Sequence, residues 1–357
     1  MGIGVKVSYL AWWCFLVGGA VASGGMFAVR APARVATIDF GINVCGAEFG
    51  ESRLPGIPGQ DYIYPDEATL AYFLGRGFRV QRLPFRWERL QRRLGAELDA
   101  GELSRLAETV RFITDAGGQV ILDVHNFARY HGQVIGSEEV GVADFADLWA
   151  RLAGCFRLND RVIFGLMNEP HGLPVATWLA AANASLAAIR SAGASNLVLV
   201  PGANWSGAFS WHDDWGYGRN SEIMAGVVDP GRHFAYEVHL YFDHDNAGTS
   251  PAVVSRTVGR ARLEGVAAWC RRLGRTAYVA EIGAPDHDEG LAALADTLDY
   301  LCREGADVYR GCVYWAAGPW WPRGHLFIVQ PVDVANPAEP PARQLQILKR
   351  YMPVNRP

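Results

Sequence analysis

The feature that most constrains the fold is a series of eight short apolar runs that recur at regular intervals along the chain. They are Ala36–Val44, Arg79–Phe85, Gln119–His125, Val162–Met167, Asn196–Pro201, Phe234–Tyr241, Ala277–Ile282 and Gly311–Trp315. Several runs are continuously apolar instead of alternating with polar residues, which is typical of strands that are buried on both faces. The runs therefore predict a parallel sheet in the interior of the protein.

Segments whose apolar residues have helical spacing lie between most of the runs. They are Glu102–Ala116, Val142–Phe156, Trp178–Ala192, Val254–Leu273 and Glu289–Glu304. Strands that alternate with helices predict right-handed β–α–β units. Eight such units predict an α/β fold with a single closed (β/α)8 TIM barrel. A doubly wound open sheet is the alternative, but no G-x-G-x-x-G motif follows an early strand.

The N-terminal segment is separate from this pattern. Lys6 is followed by Val7–Val29, which contains no charged residue, and an Ala-Val-Ala sequence at 20–22 fits a signal-peptidase site. We predict a secretory signal peptide at 1–22, and hence a secreted or periplasmic protein. The alternative is an uncleaved membrane anchor extending to about residue 29, because so long an uncharged stretch could span a bilayer. No linker or second compositional block follows, so we predict one domain over 23–357.

Composition and charge narrow the classes of function. The chain is 50% hydrophobic and 20% charged, which excludes an intrinsically disordered protein. Its 33 basic and 37 acidic residues give a net charge of −4 and provide no electrostatic basis for binding nucleic acid. Because no cysteines have C-x-x-C spacing and no histidine lies at a zinc-finger distance, we expect no metal and no cofactor. We expect a monomer.

Polar and aromatic side chains lie at the carboxyl ends of the predicted strands, where barrels of this type carry their active sites. In chain order they are Arg82, His125, Asn126, Asn168, Glu169, Asn204, Trp205, His239, Tyr241, Glu281 and Trp315. A polar group at the end of an apolar strand is costly to desolvate unless it has a partner. We therefore predict that these residues meet in one site.

Two glutamates indicate the chemistry of that site. Glu169 and Glu281 are the carboxylates at the ends of apolar runs, and they follow the fourth and seventh strands. A facing pair of carboxyl groups suits glycosidic bond cleavage, with one as acid and the other as nucleophile if they are about 5–5.5 Å apart. Arg82 is expected beside Glu281, which it would keep ionised. Asp123, which lies within a strand, is interpreted as structural.

Tryptophans cluster on two loops at the same end of the predicted barrel. They are Trp205, Trp211 and Trp215 after the fifth strand, and Trp315, Trp320 and Trp321 after the eighth. Indole faces are flat apolar platforms with a polar edge, which suit pyranose rings. Trp149, Trp178 and Trp269 lie on helical segments and are expected in the core.

The chain also carries an ordered set of longer motifs. They are Phe40–Asn43, Gly46–Gly50, Arg82–Gln91, Asp123–Tyr130, Ile163–Pro170, Pro201–Gly207, Glu237–Tyr241 and Tyr314–Trp321. This set, which runs from about residue 38 to residue 330, closely resembles glycoside hydrolase family 5, and within it the subfamily 5 endo-β-1,4-glucanases, or cellulases.

The resemblance implies a retaining endo-glycosidase that hydrolyses internal β-1,4-glucosidic bonds of cellulose-type glucans by double displacement. Glu169 would be the acid/base and Glu281 the nucleophile. Supporting or substrate-binding roles are expected for Arg82, His125, Asn168, Trp205, His239, Tyr241, Trp315 and Trp320. By the same resemblance, Arg82 and Tyr241 would hydrogen-bond the nucleophile. Asn168 would hold the sugar 2-hydroxyl, and Trp315 would lie beneath the sugar ring at the point of cleavage.

Three alternatives remain open at this stage. The first is the same mechanism on mannan, glucomannan or xylan, because the fold and the carboxylates do not select the sugar. The second is a non-catalytic glycan-binding barrel, which the presence of both glutamates disfavours. The third is trimming of glucan chains beside cellulose synthesis, which retention of the N-terminal segment as an anchor would favour. The absence of a carbohydrate-binding module favours soluble or amorphous glucan as the substrate.

Overall fold

Eight parallel strands close into a barrel in the computed structural model, which describes residues 38–336 and 339–352. The barrel strands are β1 (Asp39–Val44), β2 (Val80–Phe85), β3 (Gln119–Val124), β4 (Val162–Gly165), β5 (Val198–Pro201), β6 (Phe234–Leu240), β7 (Ala277–Ile282) and β8 (Tyr309–Ala317). The ring closes because β1 pairs with both β2 and β8. Each predicted run overlaps one strand, so the predicted (β/α)8 barrel is confirmed.

Helices connect most of the successive strands. They are α1 (Glu67–Gly75), α2 (Trp87–Leu90), α3 (Ala100–Asp115), α4 (Val142–Phe156), α5 (Val175–Ser191), α6 (Asn220–Ile223), α7 (Val258–Leu273), α8 (Asp288–Cys302) and α9 (Arg343–Lys349). The five predicted helices are confirmed as α3, α4, α5, α7 and α8. The sequence does not predict α1, because α1 is apolar at most positions and shows no separate polar face. Asp66 begins α1 by accepting a hydrogen bond from the Thr69 N–H at 2.8 Å.

The connection from β5 to β6 is built differently from the others. It contains the single turn of α6 and two 3₁₀ turns, Asn204–Ser206 and Met224–Gly226. Three successive residues, Asn204, Trp205 and Ser206, have positive φ angles of 54°, 63° and 51°. This irregular backbone holds the loop at the carboxyl end of the barrel, where the site lies.

The barrel separates two apolar layers, because successive side chains on a strand point to opposite faces. Inside the barrel, seven strands contribute one residue each to a small core. They are Val80, Ile121, Ile163, Leu199, Ala235, Tyr278 and Val313. Outward-facing neighbours such as Val120 and Leu122 belong to the larger core that includes the helices. A residue two positions after a member of the inner core therefore points into the barrel, one level nearer its carboxyl end.

Two regions lie beyond the predicted pattern. A short antiparallel hairpin, Arg129–Tyr130 with Gln133–Val134, follows β3 and is not indicated by the sequence. The predicted signal peptide at 1–22, and the start of the predicted domain at residue 23, lie outside the described residues. Within the described ranges, no helix is long and apolar enough to cross a membrane.

Candidate active site

Arg82 is the residue around which the site is organised. It lies two positions after Val80 on β2 and is completely buried. Its Nη1 donates to Glu281 Oε1 at 2.7 Å and to Asn43 Oδ1 at 2.8 Å, and its Nη2 donates to Asn168 Oδ1 at 2.8 Å. Burial lowers the pKa of Arg82, but the negative charges of Asp123 and Glu281 outweigh burial and raise it. Arg82 is therefore a permanent cation, and it contacts Glu281 as predicted.

Glu281 reaches the site through an irregularity in β7. The pairing of β7 with β6 passes from Val238–Val279 to His239–Glu281, and the pairing with β8 shows the same extra residue in β7. This one-residue bulge changes the side-chain alternation, so Glu281 lies beside His239 inside the barrel. The sequence shows no sign of the bulge, because the apolar run continues through it.

Both carboxylate oxygens of Glu281 accept hydrogen bonds. Oε1 accepts from Arg82, and Oε2 accepts from the Tyr241 hydroxyl at 2.7 Å. Burial and then the charges of Glu281 and Glu169 raise the pKa of Tyr241 well above its usual range. The phenol therefore keeps its proton and acts as a donor, and the two hydrogen bonds hold the side chain of Glu281 in one orientation.

Glu169 lies in a more open environment. It is half-buried, it lines a cavity of about 410 Å³, and its backbone φ is 43°. A positive φ is unusual for a residue other than glycine, and such backbone strain concentrates at functional sites. Its Oε1 lies 2.7 Å from His239 Nδ1. The two glutamates therefore differ, because Glu281 is fixed by its partners and Glu169 faces an accessible cavity.

His239 lies among three carboxylates. Nδ1 is 2.7 Å from Glu169 and 3.4 Å from Glu281, and Nε2 is 3.1 Å from Glu237 Oε1. Burial alone lowers the pKa of His239, but the charge of Glu281 and the hydrogen bonds with Glu169 and Glu237 outweigh burial and raise it to about 10. The imidazole is therefore charged at neutral pH.

The spacing of the two glutamates is short. One carboxylate oxygen of Glu169, one of Glu281 and a nitrogen of His239 all lie within 4.8 Å of one another. Retaining glycosidases have carboxyl groups about 5–5.5 Å apart, and inverting ones about 6.5–9.5 Å apart. A cation bound by these three groups would need a lone pair from His239, but both nitrogens of His239 already face carboxylates. An imidazolium ion has no lone pair to offer a metal, so we assign none.

A second histidine directly follows β3. His125 Nδ1 is 2.7 Å from Asp123 Oδ2, and its ring stacks on Trp315 with the centroids 5.7 Å apart. Burial raises the pKa of Asp123, but Arg82 and His125 outweigh burial and lower it. The stacked pair of His125 and half-buried Trp315 forms one wall of the site. Asp123 contacts both His125 and Arg82, so it belongs to the polar network of the site, and its structural role stays a prediction.

The loop between β5 and β6 forms another wall of the site. Trp205, Phe209 and Trp215 are exposed and line the cavity next to Glu169. The His171 ring stacks on Trp205 with the centroids 3.4 Å apart, and His171 Nδ1 lies 3.0 Å from the Glu169 carbonyl oxygen.

Other predicted tryptophans have different positions. The expectation that Trp211 belongs to the cleft is wrong, because Trp211 is completely buried and packs against Tyr236 and Trp269. Trp321 packs edge-on against Trp315 with the centroids 5.9 Å apart. Trp320, which precedes Trp321 in the chain, is half-buried, and its role stays a prediction. The predicted core positions of Trp149, Trp178 and Trp269 are confirmed.

Three residues of the site are not predicted as site residues from the sequence. Asn43 at the end of β1 accepts from Arg82 and donates to the carbonyl oxygens of Ala280 and Tyr314. It could have been found, because it ends a strand as the other site residues do. Glu237 could also have been found, because it lies two positions before His239. His171 follows β4 in a loop, and nothing in the local sequence indicates its contact with Trp205.

A closed barrel whose carboxyl rim holds two carboxylates at this spacing is typical of glycoside hydrolases. The cellulase family of glycosyl hydrolases, family 5, matches residues 42–320. The chain belongs to glycosyl hydrolase family 5, and it is an enzyme of the glycoside hydrolase class.

Relatives and solved structures agree with this assignment. The probable endo-beta-1,4-glucanase B of Neosartorya fischeri is 37% identical over 315 residues, which are 87% of this chain and 92% of the relative. The crystal structure of the endo-beta-1,4-glucanase Xac0029 from Xanthomonas axonopodis pv. citri is 41% identical, with a TM-score of 0.85 over 88% of this chain and 98% of that one. XacCel5A, solved in complex with cellopentaose, is 37% identical, with a TM-score of 0.85 over 88% of this chain and 99% of its own.

Proposed function

We propose that the protein is an exported, retaining endo-β-1,4-glucanase that cleaves cellulose-type glucans by double displacement. The observation that carries this proposal is the separation of Glu169 and Glu281. A carboxylate oxygen of Glu169 and one of Glu281 lie within 4.8 Å of each other. That spacing leaves room for direct attack on the sugar but not for an intervening water molecule. The relatives named as endo-beta-1,4-glucanases support the choice of substrate.

In the first step, a Glu281 oxygen attacks the anomeric carbon while Glu169 protonates the glycosidic oxygen. The bond from the anomeric carbon to the leaving oxygen breaks, and a glycosyl ester of Glu281 forms. Arg82 and Tyr241 orient the nucleophile through their hydrogen bonds at 2.7 Å. In the second step, Glu169 takes a proton from water, the water oxygen bonds to the anomeric carbon, and Glu281 leaves as a carboxylate.

The residues around the glutamates are proposed to hold the sugar. Asn168 Oδ1 is occupied by Arg82, so its Nδ2 is the group left to bind the 2-hydroxyl. Trp315, stacked on His125, supports the ring at the point of cleavage. Trp205 and Trp215 line the cavity beside Glu169, so we place the leaving part of the glucan there. Trp320 is proposed as a further sugar contact beyond Trp315.

The substrate is tested by measuring reducing-end release from carboxymethylcellulose, barley β-glucan, glucomannan, mannan and xylan. Glu281→Ala is the inactive control. Release confined to the glucans and lost in Glu281→Ala is expected. Release mainly from mannan or xylan would keep the mechanism and change the substrate, and equal activity of Glu281→Ala would exclude the assigned nucleophile.

The roles of the two glutamates are separated with an activated aryl cellobioside. Its leaving group needs no protonation, so Glu169→Ala should still release the phenol in a burst and then stall, whereas Glu281→Ala should release none. Proton NMR of the first product is expected to show the β-anomer, as retention requires. An α-anomer would indicate inversion and contradict the proposed mechanism.

A further inference from the structure

Two strands of the barrel carry the same short pattern of a carboxylate, valine and histidine. It is Asp123-Val124-His125 at the end of β3 and Glu237-Val238-His239 on β6. Because side chains alternate, the carboxylate and the histidine of each pattern point into the barrel, with the carboxylate one level deeper. Both carboxylates also face Arg82 Nη2, at 3.2 Å for Asp123 and 3.3 Å for Glu237.

The two histidines nevertheless differ in their surroundings. His125 contacts the Asp123 carboxylate through Nδ1, and the His125 ring stacks on Trp315. His239 faces a carboxylate at each nitrogen, Glu169 at Nδ1 and Glu237 at Nε2. An ionised carboxylate only accepts hydrogen bonds, so the two contacts of His239 can both be hydrogen bonds when both nitrogens carry protons. That form is the imidazolium ion.

Charged groups surround His239 from several strands. Glu169 approaches from the end of β4, Glu281 from β7, Asp123 from β3 and Glu237 from β6 itself. Arg82 is the neighbouring cation, and Tyr241 is a neutral phenol that donates to Glu281. Of these groups, Glu237 is the one that contacts Nε2 and is completely buried, with its Oε2 lacking a hydrogen-bond partner among the described residues.

We propose that Glu237 is a positioning residue that keeps His239 in its imidazolium form, so that His239 occupies Oε1 of Glu169 and the acid proton of Glu169 is confined to Oε2. The inference rests on the acid/base role proposed for Glu169. Oε1 accepts the Nδ1–H bond of His239 at 2.7 Å. A proton on Oε1 would weaken that bond, because a hydroxyl oxygen accepts less well than a carbonyl oxygen, so the transferable proton is favoured on Oε2. Glu237 thereby selects which oxygen delivers the proton to the glycosidic bond.

Loss of the charge on Glu237 has a specific consequence. Neutral His239 could present the lone pair of Nδ1 to Glu169, and the carboxyl proton would then lie between Oε1 and Nδ1. A proton held there is not available to the leaving group. Removing the negative charge of Glu237 also weakens proton binding by His239, so the imidazolium form would persist only to a lower pH.

The test compares Glu237→Gln with Asp123→Asn in the purified enzyme. Both variants remove one carboxylate charge from the same Arg82 nitrogen, but only the first removes a contact to His239. Nitrogen-15 NMR follows His239, assigned by its loss in His239→Gln, and kcat/KM is measured across pH. In Glu237→Gln the His239 midpoint should fall by about 1–3 pH units. The alkaline limb of kcat/KM should move in the same direction, and Asp123→Asn should shift both by less.

Glu237→Asp serves as the conservative variant, because it restores the charge at a longer distance. Its His239 midpoint should lie between those of wild type and Glu237→Gln, and it remains informative if the glutamine variant does not fold. The proposal is overturned if folded Glu237→Gln titrates His239 as wild type does. It is also overturned if Asp123→Asn gives the same shift, or if kcat falls with an unchanged pH profile. Failure of the acid/base role is seen separately, as retained glucan hydrolysis by Glu169→Gln.

Discussion

At the scale of single residues, the site works by giving two identical side chains different surroundings. Glu281 is buried and receives a hydrogen bond on each oxygen, whereas Glu169 is half-buried on a residue with φ of 43° and faces a cavity. A group that must attack carbon benefits from a fixed orientation and a permanent charge. A group that must exchange protons benefits from access to substrate and water.

Tyr241→Phe tests the orientation of Glu281, the proposed nucleophile. The change removes one hydrogen bond to an ionised carboxylate, worth about 1.5–3 kcal/mol, so kcat/KM should fall roughly 10- to 100-fold. Tyr236→Phe is the control, because its hydroxyl donates to the Met224 carbonyl in the core and not to the site. That variant should lose stability and keep its rate. Equal kcat/KM for Tyr241→Phe and wild type would show that Arg82 alone orients Glu281.

At the scale of secondary-structure elements, two irregular features position the site. The bulge in β7 turns Glu281 toward the barrel interior, and the loop between β5 and β6 replaces a long helix with short turns. This loop holds one tryptophan in the cleft and another in the core, only six positions apart in sequence. Trp205 is 43% exposed, whereas Trp211 is fully buried.

Replacing each of these tryptophans with alanine should affect a different property of the enzyme. Trp211→Ala removes a buried indole and should lower the free energy of unfolding by about 3–5 kcal/mol. Trp205→Ala should leave stability nearly unchanged and raise KM for cello-oligosaccharides, because it would remove the proposed sugar platform. Urea denaturation and steady-state kinetics measure both quantities. The assignment fails if Trp205→Ala is the destabilised variant or if Trp211→Ala alters KM alone.

Asp229 tests how the segment before β6 is anchored to α5. Its carboxylate pairs with Arg190 at 2.8 Å and accepts from the His233 N–H at 2.7 Å. Burial raises the pKa of Asp229, but these hydrogen bonds outweigh burial and hold it below the usual range. The stabilisation is therefore present above the unfolded pKa of about 3.9 and is lost as pH falls through the lower folded value.

Asp229→Asn should consequently be less stable than wild type at neutral pH, and the difference should shrink in strongly acidic solution. Denaturation curves recorded across that range supply the comparison. Asp115→Asn, at an exposed position, is expected to follow wild type throughout. A deficit that stays constant at all pH values would mean that the side-chain charge contributes nothing.

At the scale of the whole molecule, closure of the β-barrel brings the residues of the site together. Arg82 and Glu281 are 199 positions apart in the chain, and Asn43 and Tyr314 are 271 apart, yet each pair is hydrogen-bonded. Such contacts form only when β1 pairs with β8 and completes the barrel. The site is therefore a property of the closed ring and of no single β–α–β unit.

The prediction of export depends on residues 1–22, which lie outside the described residues. We expect the mature protein to begin at Ser23, because the signal at 1–22 would be removed. N-terminal sequencing of the protein recovered from the culture fluid or periplasm checks this. Recovery of the intact chain in the membrane fraction would instead support the anchor extending to about residue 29, and with it the glucan-trimming role.

The sequence by itself determined the eight strands, most of the long helices and the strand ends that carry polar groups. These features are local, because apolar periodicity and strand-end polarity are visible within a few residues. The sequence patterns were less informative in β7 and in the loop after β5. The apolar run through β7 hides the bulge, and the spacing of tryptophans after β5 does not separate a platform from a core residue.

Only the tertiary structure decided how the candidate residues combine. It placed Glu169 within reach of Glu281, joined Glu237 to His239 and Arg82, stacked His171 on Trp205 and moved Trp211 into the core. The physical reason is that hydrogen-bond distances and burial depend on strands that meet only after the barrel closes. Local sequence specifies which face of a strand a side chain occupies, whereas register and closure specify which side chain it meets.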